Sequence, residues 1–244
     1  MDKLKGPISR MGGKSVIAKQ LVANFPPPET YNIYVEPFFG AGHVFYAKPK
    51  YKQQIEVIND LDDDMFKIMT GLQKEGNNIN KTIYRHPLNR EEWKSLIGKK
   101  DTQSLLLSYK NSFFGMNKGY DPSQLKRLHA LNKTDYSLYQ ERLKGVKIYH
   151  KDYKTIINQY DSKNTFFYLD PPYENSKDYT NSINPQDLFN ILQQIQGNFM
   201  LSYNDSSLIR SLFKNFNIYE IKTRYSQTGY ISNRNIYELV ITNY

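Results

Sequence analysis

Apolar positions recur along the chain with two different periods, and the switch between them outlines a fold. Residues 14–25 carry Val16, Ile17, Leu21 and Val22 at helical spacing, and Pro26-Pro27-Pro28 ends the run, so a short helix is predicted before the first strand. Residues 32–35 and 55–58 are apolar runs that lead into acidic residues, Glu36 and Asp60, with a glycine-containing turn and short helix between them. They read as the two strands of an opening β-α-β unit. From Asp62 to Leu143 the period is helical, around residues 65–72, 89–97, 104–113 and 125–143, with loops rich in Asn, Lys and Gly. Strand character returns at 146–149, 166–169 and 199–202, separated by predicted helices at 153–160 and 185–196. Asn184-Pro185 is a helix start, and Asp205 is expected to cap a further helix through Phe213. Residues 218–224 and 236–242 alternate and are predicted to pair. The pattern predicts an α/β fold, a doubly wound sheet interrupted after its second strand by a helical insertion.

Composition adds limits. The 244 residues suffice for one such domain with an elaboration. No apolar run approaches the roughly 18 residues that cross a bilayer, and residues 1–10 lack the apolar core of a secretory signal. The expectation is a soluble, cytoplasmic protein of bacterial, phage or other viral origin, without membrane contact. Cysteine is absent, which excludes disulfides and thiolate chemistry, and the four His offer no ligand-spaced pair, so no metal is expected. A formal net charge of +9 favours a polyanionic partner. Residues 62–147 hold 16 Lys and Arg against 10 Asp and Glu, interleaved with Tyr84, Trp93, Tyr109, Phe113, Phe114 and Tyr120. Basic groups for phosphates and flat rings for bases suit a nucleic-acid surface. A helical layer with an aromatic core and solvated lysines would read the same way.

The strongest local signal is Asp170-Pro171-Pro172-Tyr173, directly after the apolar strand 166–169. The carboxyl ends of strands line the ligand crevice of an open α/β sheet, so the tetrapeptide falls where chemistry occurs. Its residue types suit methylation of the N6 amino group of adenine, a poor nucleophile whose lone pair is delocalised into the ring. The Asp170 carboxylate and the Pro171 carbonyl can each accept one N6 hydrogen and turn the lone pair toward a methyl donor. Tyr173 offers a ring on which a base taken out of the duplex can stack. The second signal is Glu36-Pro37-Phe38-Phe39-Gly40-Ala41-Gly42, where two glycines let backbone approach a ligand and Glu36 can meet a cationic group, although an ordinary tight turn would also look like this. The third is Asp60, which can chelate both ribose hydroxyls of an adenosine or can merely cap the following helix.

Gly12-Gly13-Lys14, Glu36-Pro37-Phe38 with Gly40 and Gly42, Asn59-Asp60, Asp152-Tyr153, Asp170 to Tyr173 and Glu238-Leu239 occur in an order that resembles the Dam-type, D12 class, alpha-group DNA adenine N6-methyltransferases. The resemblance covers both ends of the chain and is weak only through the insertion. It implies a Rossmann-like S-adenosylmethionine-dependent methyltransferase sheet, with 1–61 and 148–244 as the catalytic domain and 62–147 as a helical target-recognition domain. It implies S-adenosyl-L-methionine as cofactor, S-adenosyl-L-homocysteine as its product, and no metal. Met11, Gly12, Gly13 and Lys14 would border the cofactor and target pocket, and Phe38 would cover the methionine moiety. Glu36, Pro37, Gly40 and Gly42 would complete that turn, Asp60 would hold the ribose, Asp152 and Tyr153 would contact the adenine ring, and Asp170 would touch both cofactor and target. Asp170, Pro171, Pro172 and Tyr173 would be catalytic. DNA contacts are expected from Arg10 and Lys14, from Lys110, Asn111, Lys118, Lys126 and Arg127 of the insertion, and from Arg224, Ser226, Asn233 and Arg234 of the loop between the last two strands.

The expected activity is therefore site-specific methylation of adenine N6 in double-stranded DNA after base flipping, by a monomer or weak dimer, with a cognate restriction endonuclease as a further partner. Action on RNA or single-stranded DNA is the alternative enzyme reading. A degenerate module that binds cofactor or DNA without turnover is the alternative from another class. Members that read GATC usually carry Lys-Trp before Gly-Gly-Lys, where this chain has Ser9-Arg10-Met11, and their Asn-rich recognition loop is here only residues 110–119. The target is expected to contain an adenine and to be GATC or a shorter, more degenerate relative of it.

Overall fold

Buried peptide groups need partners, and the short apolar runs of this chain find them in one another. In the computed structural model residues 4–10, 12–83, 88–123, 134–173, 183–223 and 236–244 are described. Seven strands form one sheet: β1 (Ile33–Glu36), β2 (Ile55–Asn59), β3 (Lys147–Tyr149), β4 (Thr165–Leu169), β5 (Asn198–Asn204), β6 (Asn217–Thr223) and β7 (Ile236–Thr242). Their order is β3-β2-β1-β4-β5-β7-β6. Pairings from β3 to β5 are parallel, and β7 runs antiparallel between β5 and β6. β4 is buried along its whole length, as a central parallel strand covered on both faces must be. Its alternation sorts the core: Phe166 and Tyr168 pack with one apolar cluster, Phe167 and Leu169 with the cluster on the opposite face.

Helices α1 (Ala18–Ala23) and α2 (His43–Ala47) flank β1. Among the described residues four more lie between β2 and β3: α3 (Asp63–Thr82), α4 (Arg90–Leu96), α5 (Thr102–Lys110) and α6 (Ser137–Leu143). The predicted insertion after the second strand is thus present. α7 (Tyr153–Tyr160), α8 (Pro185–Leu192) and α9 (Ser207–Leu212) connect the later strands. The helix expected over 14–25 is shorter, because residues 14–17 form a turn in which Ile17 and Ala18 both donate to the Lys14 carbonyl. The cap expected from Asp205 is supplied by Ser206, whose hydroxyl accepts from the Ile209 amide at 3.2 Å, while Asp205 instead pairs with Arg210 at 2.7 Å. Ser206 immediately precedes the first helical residue, the position from which a short side chain reaches the third amide.

The described residues of the insertion share their core with the sheet. Met65, Ile68, Leu72, Leu105 and Leu143 belong to the same apolar cluster as Phe45, Ile58 and Phe166 of the sheet unit. A buried ion triad adds to this seam. Glu56 on β2 holds Lys48 at 3.0 Å and Arg142 of α6 at 2.6 and 2.9 Å, and the Arg142 guanidinium lies 3.7 Å from the centre of the Phe45 ring. Two cations divide one carboxylate, so removing Glu56 would strand both in a medium where unpaired charge is costly.

Candidate active site

β1 and β4 are neighbours whose connections leave in opposite directions, which opens a crevice beyond their carboxyl ends. Glu36 ends β1, and Asp170, Pro171, Pro172 and Tyr173 follow β4. Because β7 is reversed, its beginning rather than its end faces this crevice, and that places Glu238 there. The arm Gly12-Gly13-Lys14 completes the group. Lys14 is buried, and its Nζ lies 2.6 Å from Asp170 Oδ1, 2.7 Å from the Tyr173 hydroxyl and 3.2 Å from Glu238 Oε1. It also donates to the Gly12 carbonyl at 3.0 Å. The Tyr173 hydroxyl donates to Glu238, and its ring lies 5.0 Å from that of Tyr203. Local sequence and long-range topology thus meet in one polar cluster: residues 14, 170, 173 and 238 come from three separate parts of the chain.

The electrostatics follow from crowding. Burial raises the Asp170 carboxyl to about 6; Lys14 beside it pulls the value down, and Glu238 pushes it up. Its side chain nevertheless keeps 21% exposure, so a ligand entering the crevice can reach it. Burial also raises Glu36, to about 8, against the pull of the hydrogen bond from Tyr34. Glu36, the more deeply enclosed of the two, is therefore harder to ionise than Asp170.

On the β2 side of the crevice the turn after β1 is fixed by backbone amides. Asp60 Oδ2 accepts from Gly40 N at 2.6 Å and Oδ1 from Asp62 N at 2.9 Å. Asn59 donates to the Pro37 carbonyl at 2.9 Å. Asp62, not Asp60, caps α3, accepting from the amides of Asp64 and Met65. Gly40 and Gly42 have φ of 52° and 70°, a region other residues avoid. A Cβ at Gly40 would meet nothing within 4 Å, so the turn opens on free space at that glycine. Phe38 packs on Tyr153 with ring centres 5.1 Å apart, and Asp152 caps α7 through the Lys154 amide at 2.8 Å.

The residues expected on a DNA surface divide. Lys118 is exposed, next to Asn117 with its positive φ of 56°. Lys110 is buried, its ammonium 2.6 Å from the Tyr136 hydroxyl and over that ring, and Asn111 is fully buried. Arg10 faces Asp62 at 2.7 Å, and Lys14 belongs to the cluster just described. Met11, Lys126, Arg127, Arg224, Ser226, Asn233 and Arg234 lie outside the described residues. Glu238 was legible only as part of a motif; its signal was a carboxylate in an otherwise inward-facing, apolar strand. Among the described residues no helix is long and apolar enough to cross a membrane.

A mostly parallel seven-stranded sheet with one reversed strand, and a polar cluster at its carboxyl edge, is the Rossmann-like architecture of a methyltransferase. The chain belongs to the D12 class N6 adenine-specific DNA methyltransferase family, which matches residues 11–102 and 99–227. It is 29% identical to Type II methyltransferase M.MjaIII of Methanocaldococcus jannaschii, with 96% of each chain covered. It is 25% identical to Type II methyltransferase M1.LlaDCHI of Lactococcus lactis subsp. cremoris, covering 96% of this chain and 93% of the relative.

One consequence concerns Asp170 alone. Lys14→Met should raise its pKa above the value of about 6, since the favourable cation is lost while burial and Glu238 remain. Carbon-13 titration of the Asp170 carboxyl by NMR measures this directly. An unchanged midpoint would show that Lys14 does not control the charge on Asp170.

Proposed function

We propose that the chain transfers a methyl group from S-adenosyl-L-methionine to N6 of an adenine flipped out of double-stranded DNA, leaving S-adenosyl-L-homocysteine. Adenine-specific methylation of DNA is the family's activity. The observation that carries the finer reading is the reachable carboxylate of Asp170, held 2.6 Å from Lys14 at the end of β4. When bound, the cofactor supplies a methyl group on a positively charged sulfur. Asp170 and the Pro171 carbonyl accept hydrogen bonds from the two N6 hydrogens, one of which leaves as a proton to solvent once the methyl group is on N6, and Pro172 holds the turn in the conformation that aims both acceptors into the crevice. Tyr173, backed by Tyr203, is the platform for the flipped base.

The cofactor fits the residues around Gly40. An accessible carboxylate, open space beside a glycine amide and two aromatic rings supply what an adenosine needs: Asp60 for the ribose hydroxyls, Phe38 and Tyr153 for flat apolar faces, Asp152 near the adenine edge. Glu36, Pro37, Gly40 and Gly42 shape the wall toward the methionine end, with Met11, Gly12, Gly13 and Lys14 opposite. Residues 62–147 act as the target-recognition part, and 1–61 with 148–244 as the catalytic part. Lys118 contributes a phosphate contact from the insertion. The target contains an adenine and is shorter or more degenerate than GATC, since Ser9-Arg10-Met11 replaces the usual residues. Because the two relatives are Type II methyltransferases, a cognate restriction endonuclease is the expected companion in the cytoplasm.

Asp170→Ala should lower turnover on duplex DNA by about 100-fold or more, with the cofactor dissociation constant from calorimetry nearly unchanged. Retention of most wild-type turnover would remove Asp170 from its assigned role, and faster methylation of RNA or single-stranded DNA than of duplex would shift the substrate.

The two insertion lysines should behave differently. Lys118→Ala should make the plot of log DNA affinity against log salt shallower by up to about 0.9, as one released phosphate contact requires. Lys110→Met should leave that slope alone, because its ammonium is spent on Tyr136. Equal slopes for Lys118→Ala and wild type would put the phosphate contacts elsewhere.

A further inference from the structure

Arg10 stands where a DNA contact was expected, yet its guanidinium turns inward. Nη2 lies 2.7 Å from Asp62 Oδ2, and the side chain is only 15% exposed. Asp62 has both oxygens engaged, Oδ2 by Arg10 and Oδ1 by the first amides of α3. Its own amide donates to Asp60 Oδ1, and the other oxygen of Asp60 takes the Gly40 amide. An unbroken line of hydrogen bonds therefore runs from Arg10 through Asp62 and Asp60 to the glycine turn after β1.

The insertion packs on the backbone of the arm that carries Arg10. A Cβ at Gly115 would sit 1.8 Å from the carbonyl oxygen of Ser9, so the loop after α5 lies backbone to backbone on the residue before Arg10. Tyr109, in the last turn of α5, donates to Asp64 Oδ2 at 3.2 Å, two residues along from the Arg10 pair. The Arg10 carbonyl accepts from Gly13 N at 3.0 Å, which shapes the arm that delivers Lys14. A side chain enclosed in this way has little left to offer a phosphate.

We infer that Arg10 is a positioning residue for the cofactor, a strut that holds Asp60 through Asp62 and rests against the loop of the insertion. The inference deepens the reading of Asp60 as the ribose acceptor and rests on it. The groups that face the Asp60 carboxyl are Arg10, Asp62 and the amides of Gly40 and Asp62; burial raises its pKa, Arg10 and the two amides oppose that, and Asp62 adds to it. A ribose diol is held best by the ionised form, which accepts from both hydroxyls. Without Arg10, Asp60 takes up its proton at a higher pH and the turn loses its outer support.

The test is calorimetry of S-adenosyl-L-methionine binding to the full chain between about pH 5 and 8, with DNA affinity measured against salt in parallel, for wild type, Arg10→Ala, Arg10→Lys and Asp62→Asn. Asn keeps a cap for α3 while losing the ion pair, so a folding defect in one variant does not decide the matter. Arg10→Ala and Asp62→Asn should each weaken cofactor binding by about 10-fold, the size of a typical coupling between neighbouring sites. In Arg10→Ala the pH at which affinity is lost on acidification should move upward, Arg10→Lys should restore most of both effects, and the DNA salt slope should match wild type. Cofactor constants within about two-fold of wild type, with or without a salt slope shallower by about 0.9, would overturn the strut and in the second case make Arg10 a phosphate contact. A wild-type chain that binds no cofactor would instead overturn the reading of Asp60, and the strut with it.

Discussion

Lys14 carries its charge into the carboxyl edge of the sheet, where Asp170 and Glu238 both need it. Two carboxylates in a crowded, poorly solvated space repel each other, and the ammonium between them offsets that repulsion. Burial raises the Asp170 carboxyl, and Lys14 pulls it back down. Each partner reaches it by a different route. The short arm before α1 brings Lys14, the end of a wholly buried parallel strand brings Asp170, and the reversal of β7 brings Glu238 from the start of a strand rather than its end. A sheet with every strand parallel would put the beginning of its last strand at the opposite edge, away from the crevice.

The same economy governs the join between sheet and insertion. α3, α5 and α6 use the apolar face of the sheet unit as their floor, and the Glu56 triad ties the exit of the insertion to β2 and α2. Gln73 donates to the carbonyls of Leu143 and Val146 at 2.9 and 2.8 Å, where the chain passes back from α6 to β3. These contacts tie both ends of the insertion to the strands that flank it.

Much of this was legible in the sequence because it is local. A run of apolar residues followed by Asp-Pro-Pro-Tyr marks a strand and its end, and two glycines one residue apart mark the turn after the first strand. The insertion after the second strand was visible as a change of period. Pairings over long separations were not legible. Lys110 looked like any basic residue beside an aromatic one, and only the fold brings Tyr136 to its ammonium. Arg10 and Asp62 stand 52 positions apart, and nothing in either neighbourhood names the other. The choice of Ser206 over Asp205 as helix cap turned on a single residue of register, with Arg210 drawing the carboxylate away.

On the proposed function, the acceptor at the end of β4 asks only for an exocyclic amine, whereas neighbouring bases would be read by other residues, so the chemistry could be retained while the target drifts. Single-molecule sequencing of DNA from cells expressing the wild-type chain tests both at once. The account predicts N6-methyladenine at every copy of one adenine-containing motif, shorter or more degenerate than GATC. Methylated cytosine in place of adenine, or no modified base, would contradict the chemistry assigned to Asp170; N6-methyladenine confined to GATC would contradict the altered target.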